Sequence, residues 1–378
     1  MTEHTTVIVV GAGVAGLTLG NMLQRNNIDC IILERRSREY VEQRQRAGTV
    51  DTRGVRMFRE WGLGQMVDAG GHPEVEGGFF IDGHAMPIEV DDDNESIFIP
   101  QQTLVHQLTD RFLEGGGDLR YEIDITLENL EKPLVRYQDT VIAGDYLAGC
   151  DGDRGVTRAS VPEGALTRYS REYPYSWVSA LAAVPARTSG MGIHERGLAG
   201  LIPRGTENSR LYLQCPVGDT PDDWPDERIW SEIEARFGTA VATGPIIDKQ
   251  IVPLRSVVHE PMSHERLYLL GDAAHIVPPM SAKGIHLALF DAETFARGVI
   301  RQVREGDGSL LEQYSQTCLH HVWNYQAFAA WITDLMHDAG DPSYTGEFRK
   351  QTARAELQRQ FESEAANRVF SELTSGVM

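Results

Sequence analysis

The chain has 378 residues, a formal net charge of −20 and 41% hydrophobic residues. This length predicts more than one compact unit, and the composition is that of an ordinary globular protein. So acidic a surface disfavours binding to nucleic acid or anionic lipid. No apolar run reaches the roughly 18 residues of a membrane span, and the N-terminus lacks the basic start of a signal peptide. We therefore expect a cytoplasmic protein.

The four cysteines lie far apart in the sequence and share no CxxC spacing: Cys30, Cys150, Cys215 and Cys318. This spacing argues against a zinc site and against a disulfide framework. Cys30 and Cys150 stand inside apolar runs, where a buried thiol acts as a small hydrophobic side chain. We expect no metal and a reducing compartment.

The first elements have the pattern of a dinucleotide-binding unit. Residues 5–10 form a β-branched apolar run, a helical pattern follows from Ala15 to about Gln24, and residues 28–34 read as a second strand. Strand, tight loop, helix and strand within about 30 residues open such a fold.

The rest of the chain alternates between helical and strand patterns. We predict helices at about 103–113, at about 226–237 and from about Ala282, short strands within 119–149 and 174–217, and nearly continuous helix from 309 onward. No internal repeat and no low-complexity linker is visible, so we expect domains that interleave.

The first motif is a glycine-rich loop, Gly11-Ala12-Gly13-Val14-Ala15-Gly16. Gly11 permits the tight turn, Gly13 lets a pyrophosphate approach the backbone, and Gly16 lets the helix pack on the strand. The helix N-terminus favours the negative phosphates. Glu34 closes the second strand, where its carboxylate can accept hydrogen bonds from ribose hydroxyls.

Two further motifs follow strands. The second is Ala148-Gly149-Cys150-Asp151-Gly152, and the third is Gly271-Asp272-Ala273-Ala274-His275, followed by Pro278-Pro279 and Lys283-Gly284. Asp272 can reach ribityl hydroxyls, and backbone N–H groups of the next helix can face the negative pyrimidine edge of a flavin. We interpret His275 as a structural hydrogen-bonding residue.

This order of motifs resembles that of the FAD-dependent aromatic hydroxylases, in particular the para-hydroxybenzoate hydroxylase group. The resemblance extends from residue 5 to about 335 through segments such as ILERRSREYVEQRQRAG, PLRSVVHEPM and LGDAAHIVPP. It implies a mixed α/β fold: a Rossmann-like FAD-binding domain (1–72, 98–174, 262–335), an interleaved β-sheet substrate domain (73–97, 175–261) and a helical C-terminal segment (336–378), with flavin and substrate at the domain junction.

The resemblance also implies roles for residues on the flavin side. Glu34 would hold the FAD ribose, Asp272 the ribityl chain, and Arg46 stands at the position of the family's flavin-gating arginine. Pro279, Arg46 and Lys283 are the predicted catalytic positions. The predicted cofactor-binding set is Gly11, Gly13, Ala15, Gly16, Glu34, Arg35, Arg44, Arg46, Gln102, Asp151, Asp272, Pro279, Lys283, Gly284 and Ile285.

On the substrate side the resemblance is incomplete. Arg204, Arg210 and Tyr212 match substrate positions, and Arg204 matches the arginine that pairs with a substrate carboxylate. The family's two proton-relaying tyrosines fall on Met191 and Thr374. The serine at the carboxylate falls on Ile202, and the threonine and asparagine near the flavin fall on Met280 and His286. Met191, Ile202 and Met280 make the predicted substrate site more apolar, and without the tyrosines we expect a substrate other than para-hydroxybenzoate.

The implied reaction is a hydroxylation. NAD(P)H would reduce FAD, O2 would form a flavin C4a-hydroperoxide, and an electron-rich aromatic compound, such as a larger or indole-type carboxylic acid, would receive the oxygen. Arg35, Arg36 and Arg38 cluster after Glu34 and favour NADPH, since guanidinium groups bind a 2′-phosphate well. Arg158 and Arg255 match surface positions linked to the pyridine nucleotide.

Other functions of the same scaffold stay open. One is a flavoprotein oxidase, dehydrogenase or halogenase, although the chain lacks the WxWxIP-type segment of flavin halogenases. Another is a non-catalytic flavin-binding redox module. The oligomeric state is open too, and a homodimer is compatible with the sequence. The fold cannot decide among these functions because function depends on the site.

Overall fold

The computed structural model describes residues 2–43, 48–70, 72–73, 78–87, 94–341 and 346–377. The chain divides into two compact units, each assembled from three stretches of sequence. The first comprises residues 1–71, 97–170 and 256–327, and the second comprises 72–96, 171–255 and 328–378. The mixed α/β class and the helical C-terminus are as predicted, but residues 336–378 group with the second unit instead of forming a separate segment.

The strands, in chain order, are β1 Thr2–Val10, β2 Cys30–Leu33, β3 Thr49–Val50, β4 His72–Pro73, β5 Gly78–Ile81, β6 His84–Pro87, β7 Ile97–Phe98, β8 Asp118–Arg120, β9 Thr126–Asn129, β10 Leu134–Tyr137, β11 Thr140–Gly149, β12 Thr167–Ala182, β13 Gly190–His194, β14 Gly197–Arg204, β15 Asn208–Pro216, β16 Ile246–Glu260, β17 Ser263–His264, β18 Leu267–Leu269 and β19 His275–Ile276.

The α-helices are α1 Val14–Arg25, α2 Arg38–Gln43, α3 Thr52–Glu60, α4 Gln65–Gly70, α5 Gln101–Glu114, α6 Val156–Ala159, α7 Asp226–Phe237, α8 Gly284–Glu305, α9 Ser309–Glu312, α10 Tyr314–Asp338, α11 Gly346–Glu362 and α12 Glu364–Ser375. Short 3-10 turns lie at Pro221–Asp223, Gly271–Ala273 and Pro279–Ser281.

The first unit is built on a sheet with the strand order β17-β18-β11-β1-β2-β8. Strand β1 pairs in parallel with β11 on one side and with β2 on the other. Its residues Val7 to Val9 are fully buried, as a continuous apolar run in a parallel sheet predicts. Helix α1 packs against α5 and α8.

The second unit is built on a mostly antiparallel sheet in which β16, β12, β15, β14, β13, β5 and β6 follow one another. One face of this sheet packs on α7. Alternate strand residues such as Ala199, Leu201, Leu211 and Leu213 meet Ile229, Ile233 and Phe237 of the helix and Trp224 just before it. Since side chains alternate between the faces of a strand, the residues between these point to the other face.

Candidate functional site

The parallel strands of the first unit end in register. Val10 is the cross-strand neighbour of both Leu33 and Gly149, and Gly149 is the neighbour of Leu269. The glycine-rich loop, Glu34, the Asp151 motif and the Gly271 motif each begin within two residues of these strand ends. One edge of the sheet therefore gathers all three motifs, and in open α/β sheets ligands bind at this edge.

The glycine-rich loop has the geometry that its sequence predicts. Gly11 has φ +107°, and a Cβ there would lie 2.4 Å from the Cys150 carbonyl oxygen. A Cβ on Gly16 would lie 2.0 Å from the Gly11 carbonyl oxygen. Gly13 differs, because nothing lies within 4 Å of its Cβ position. Open space at Gly13, together with an α1 N-terminus that has no acidic residue in its first turn, fits a bound pyrophosphate.

Glu34 is hydrogen-bonded to the glycine-rich loop. Its Oε2 accepts a hydrogen bond from the Ala12 N–H at 2.9 Å, and its Oε1 accepts one from the Arg36 N–H at 2.7 Å. A carboxylate offers about four acceptor positions, so both oxygens can still accept from ribose hydroxyls. Its placement beside the loop is compatible with the predicted ribose contact.

The Gly271 motif is held by buried side chains. Asp291 of α8 accepts from the Gly271 N–H at 2.9 Å, and its same oxygen lies 2.7 Å from His275 Nε2. Arg158 donates to the Ala273 carbonyl oxygen at 2.7 Å. His275 therefore contacts Asp291 in the interior, which is consistent with a structural role. Arg158 is half-buried and also donates to the Asp153 carbonyl oxygen, and its link to the pyridine nucleotide stays a prediction.

Asp151 has a local partner. It accepts hydrogen bonds from the Thr157 N–H at 2.9 Å and from the Thr157 hydroxyl, and so caps the short helix α6. Burial raises the pKa of this carboxyl group against the effect of those hydrogen bonds. A direct contact between Asp151 and the cofactor stays a prediction.

The start of α8 contains a buried ion pair. Lys283 is 2% exposed, and its Nζ lies 2.6 Å from Asp51 Oδ2. Burial opposes the charge on Asp51, but the interactions with His286 and Lys283 outweigh it and lower the pKa of the carboxyl group. Lys283 is therefore held in place by a carboxylate, and the sequence did not indicate this partner.

The remaining cofactor positions differ in exposure. Pro279, Gly284 and Arg35 are exposed, Gln102, Asp272 and Ile285 are half-buried, and Ala15 is buried beside Gly271. Arg44 and Arg46 lie outside the described residues. The roles predicted for these positions stay predictions.

In the second unit, strand register assembles the predicted substrate residues on one face. Met191 pairs with Gly200, and Gly200 pairs with Tyr212. A Cβ on Gly200 would lie 3.0 Å from Met191 Sδ and 3.2 Å from the Tyr212 ring, so both side chains flank this glycine. Ile202 pairs with Arg210, and Arg204 follows two residues later on the same face. Met280, the sixth predicted substrate residue, belongs to the first unit.

Two arginines give this face its charge. Arg210 is 4% exposed and lies 3.4 Å from Ser179 Oγ and 3.8 Å from Asp248 Oδ2. Burial lowers the pKa of Arg204, and the nearby positive charge of Arg210 lowers it further, whereas Tyr212 acts in the opposite direction. Arg210 is buried and Arg204 is half-buried, and a bound anion would stabilise two guanidinium groups in this setting.

The C-terminal helices pack on the same face. Trp177 contacts Tyr212 with ring centroids 4.9 Å apart and donates a hydrogen bond to His337 Nε2 of α10 at 2.8 Å. Farther along the sheet, Phe79 pairs with Met191 and contacts Phe361 of α11. These aromatic contacts explain why residues 336–378 join the second unit. Thr374 is exposed on α12 and donates to the Phe370 and Ser371 carbonyl oxygens.

One cluster of the described residues has metal-ligand spacing: Glu42, His106 and Asp110, on α2 and α5. Arg38 contacts both carboxylates, at 2.6 Å and 2.5 Å. This internal cation competes with a metal ion, and we assign no site there. Among the helices that the structure describes, none combines the length and the hydropathy of a membrane span.

Sequence reasoning missed Asp291, which contacts His275, and it missed Asp51 and His321, which contact His286. Asp291 carried a usable signal, since it interrupts the apolar face that α8 presents with Leu287, Ala288 and Phe295. Asp51 and His321 carried none, because their partners lie far away in the sequence.

Comparison with known proteins agrees with this geometry. Residues 4–329 match the family described as FAD binding domain. The chain is 33% identical to p-hydroxybenzoate hydroxylase of Acinetobacter baylyi, over 94% of this chain and 91% of that one. It is 26% identical to rifampicin monooxygenase of Rhodococcus hoagii, over 76% of this chain and 62% of that one.

A solved structure extends the likeness in fold. The p-nitrophenol 4-monooxygenase of Pseudomonas putida has a TM-score of 0.81 at 16% identity and covers 99% of this chain and 98% of that one. Identity this low shows the fold alone. From the domain match and the similarity to p-hydroxybenzoate hydroxylase, the chain belongs to the FAD-dependent aromatic hydroxylases and is a flavin monooxygenase of that family.

Proposed function

We propose that the protein is a single-component monooxygenase that uses NAD(P)H and O2 to hydroxylate a larger aromatic or indole-type carboxylic acid. The observation that supports this substrate class is the sheet face of the second unit. It combines buried Arg210 and half-buried Arg204 with the apolar side chains of Met191 and Ile202.

The charged part of this face suits a carboxylate. Arg204 and Arg210 present planar guanidinium groups that can bind a carboxylate through paired hydrogen bonds. Tyr212 lies in the same cross-strand row as Gly200 and Met191, two residues along β15 from Arg210, and its ring contacts Trp177. A carboxylate would offset the effect of burial on Arg204, whose pKa is lowered.

The apolar part suits an aromatic ring that needs no proton removal. Met191 stands where the family has one of its relaying tyrosines, and a thioether neither donates nor accepts a phenolic proton. The ring must then be electron-rich without becoming a phenolate, as an indole or an arylamine is. Bound FAD would supply the electron and oxygen-transfer chemistry, while this face would bind and orient the acid.

The substitution Arg204→Ala tests the carboxylate anchor. We expect it to weaken binding of the true substrate by about 2–5 kcal/mol, the usual effect of removing one partner of a buried charge pair. FAD content should stay normal, because Arg204 belongs to the second unit. Arg187→Ala is the control, since Arg187 is exposed in the loop after β12. Unchanged binding and turnover in Arg204→Ala would exclude the anchor.

The electron donor is a separate proposal. Arg35 and Arg36 are exposed just after Glu34, whereas Arg38 is paired with Glu42 and Asp110. Two exposed guanidinium groups near the ribose position support NADPH, with Arg38 as a supporting charge. Steady-state kinetics with both donors test this, and a clear preference for NADH would overturn it. The same assay with and without an aromatic acid distinguishes a hydroxylase from an oxidase or a redox module.

The location is a proposal as well. The four cysteines are buried free thiols, and burial raises the pKa values of Cys30 and Cys215 to about 12. Thiols held in this way suit a reducing cytoplasm.

A further inference from the structure

A chain of four polar side chains runs through the interior of the first unit. Lys283 Nζ lies 2.6 Å from Asp51 Oδ2, and the same oxygen lies 2.8 Å from His286 Nδ1. His286 Nε2 in turn lies 2.7 Å from His321 Nε2. Asp51, Lys283 and His286 are at most 5% exposed, whereas His321 is half-buried. We call Lys283, Asp51, His286 and His321 the histidine relay.

We assign the protons of the relay from its contacts and charges. Two imidazole nitrogens at 2.7 Å share one proton, so one ring donates and the other accepts. Asp51 is a carboxylate beside Lys283, and it favours a proton on His286 Nδ1. Neutral His286 then has a bare Nε2, which accepts from His321 Nε2–H. The hydrogen bonds of the relay therefore run in one direction, from half-buried His321 to His286 and then to the buried pair of Asp51 and Lys283.

The surroundings keep the resting cluster neutral. Burial lowers the pKa of His321 to about 3, and the proximity of His286 and the positive charge of Arg53 act in the same direction. Burial also lowers the pKa of His286, although Asp51 acts in the opposite direction. Arg53 is itself paired with Glu293 at 2.6 Å. Among the residues that the structure describes, the other ionisable groups that face the histidines are Tyr325, in ring contact with both, and His275.

The relay ends beside the motifs of the FAD site. Lys283 caps the N-terminus of α8, and His286 is the third residue of that helix. Two residues further, Ala288 lies beside Gly271, which also adjoins Ala15 of the glycine-rich loop. A negative charge that develops on a cofactor at this helix terminus would attract a proton into the relay.

From this geometry we infer that the histidine relay takes up a solvent proton when the bound FAD is reduced. Two electrons enter the FAD from the reductant, and one proton enters at His321 Nδ1. His321 then passes its Nε2 proton to His286 Nε2, which leaves an imidazolium paired with Asp51. The inference depends on FAD bound at the predicted site and not on the identity of the substrate.

The test is the midpoint potential of the bound FAD as a function of pH, from about pH 5 to 9. Dithionite is the reductant, and the holoenzyme is compared with His286→Asn and His321→Gln. Asparagine is the residue that the family has at the first position, and His321 is only half-buried, so both variants should fold. One proton per two electrons changes the slope by about 30 mV per pH unit.

We expect the wild type to show the steeper slope at the acidic end, with the three curves becoming parallel toward alkaline pH. His320→Gln is the control, since His320 is the exposed neighbour of His321, and it should behave as the wild type does. Equal slopes in the wild type and both relay variants would overturn the inference, as would a constant offset in potential with no change in slope. Failure of the FAD site itself would look different, since the purified protein would then be colourless.

Discussion

The two units carry functional information in different ways. In the first, the functional residues form short contiguous motifs that begin where parallel strands end, and the register Leu33, Val10, Gly149 and Leu269 brings them to one edge. In the second, the residues that face the proposed substrate are spread from Met191 to Tyr212 and belong to no motif. Cross-strand pairing places them side by side.

This difference separates what the two units specify. The motifs of the first unit depend on backbone constraints that few side chains satisfy, so they identify the cofactor. The sheet face of the second unit accepts many side chains at each position, because only alternation and register are fixed. The family is therefore readable from the first unit, whereas the substrate depends on individual replacements in the second.

The largest expected effect is at the glycine-rich loop. Gly13→Val should abolish FAD retention while the protein stays folded, because its side chain would extend into open space where we place the pyrophosphate. Gly16→Val should instead impair folding, since its Cβ position lies 2.0 Å from the Gly11 carbonyl oxygen. Flavin absorbance and far-ultraviolet circular dichroism measure the two outcomes. Full flavin occupancy in Gly13→Val would contradict the assignment.

The next effect concerns stability in the first unit. Asp51→Ala removes the partner of buried Lys283 and a cap that accepts from the Gly54 N–H, and should destabilise the fold by about 3–5 kcal/mol. Denaturant unfolding of the variant measures this. Glu128→Ala is the control, because its pair with Arg136 is exposed and should contribute nothing measurable. Equal stabilities of the two variants would show that Lys283 finds another partner.

A smaller effect concerns the pH dependence of stability in the second unit. His337 is fully buried and neutral, with its pKa lowered by burial to about 3. The unfolded state binds a proton near pH 6.5, so stability is lost as the pH falls below that value and levels off below about 3. Protonation of this residue in the unfolded state should lower the free energy of unfolding by about 2 kcal/mol between pH 7 and pH 5.

The substitution His337→Phe should remove that part of the pH dependence. Denaturant unfolding at several pH values gives the comparison, with His320→Phe as an exposed control. An unchanged pH dependence in His337→Phe would mean that His337 is protonated or hydrated in the folded protein.

Local patterns predicted much of the fold. Helix 226–237 was expected at the bounds that the structure shows, and the strand–loop–helix–strand start was placed to within a few residues. These elements depend on periodicity and on glycine positions, which are local. The C-terminal segment was taken as separate because its contacts, such as His337 with Trp177 and Phe361 with Phe79, join residues far apart in the sequence.

The same limit applies to the site. The sequence indicated Lys283 and His286 through a resemblance, but not that both contact Asp51, which lies more than 200 positions earlier. It suggested a nucleotide role for Arg158, which stays a prediction, but did not indicate its hydrogen bond to the Ala273 carbonyl oxygen. A charged residue has many possible partners, and only the folded chain selects one.

The most direct measurement of the proposed function is oxygen incorporation. The holoenzyme is supplied with NADPH, isotopically labelled O2 and a series of aromatic carboxylic acids that includes indole-type acids, arylamine acids and para-hydroxybenzoate, and the products are analysed by mass spectrometry. We predict one labelled oxygen atom in an indole-type or arylamine acid, with far less product from Arg204→Ala at the same substrate concentration. Labelling of para-hydroxybenzoate above all other acids, or equal labelling by Arg204→Ala, would contradict the proposal.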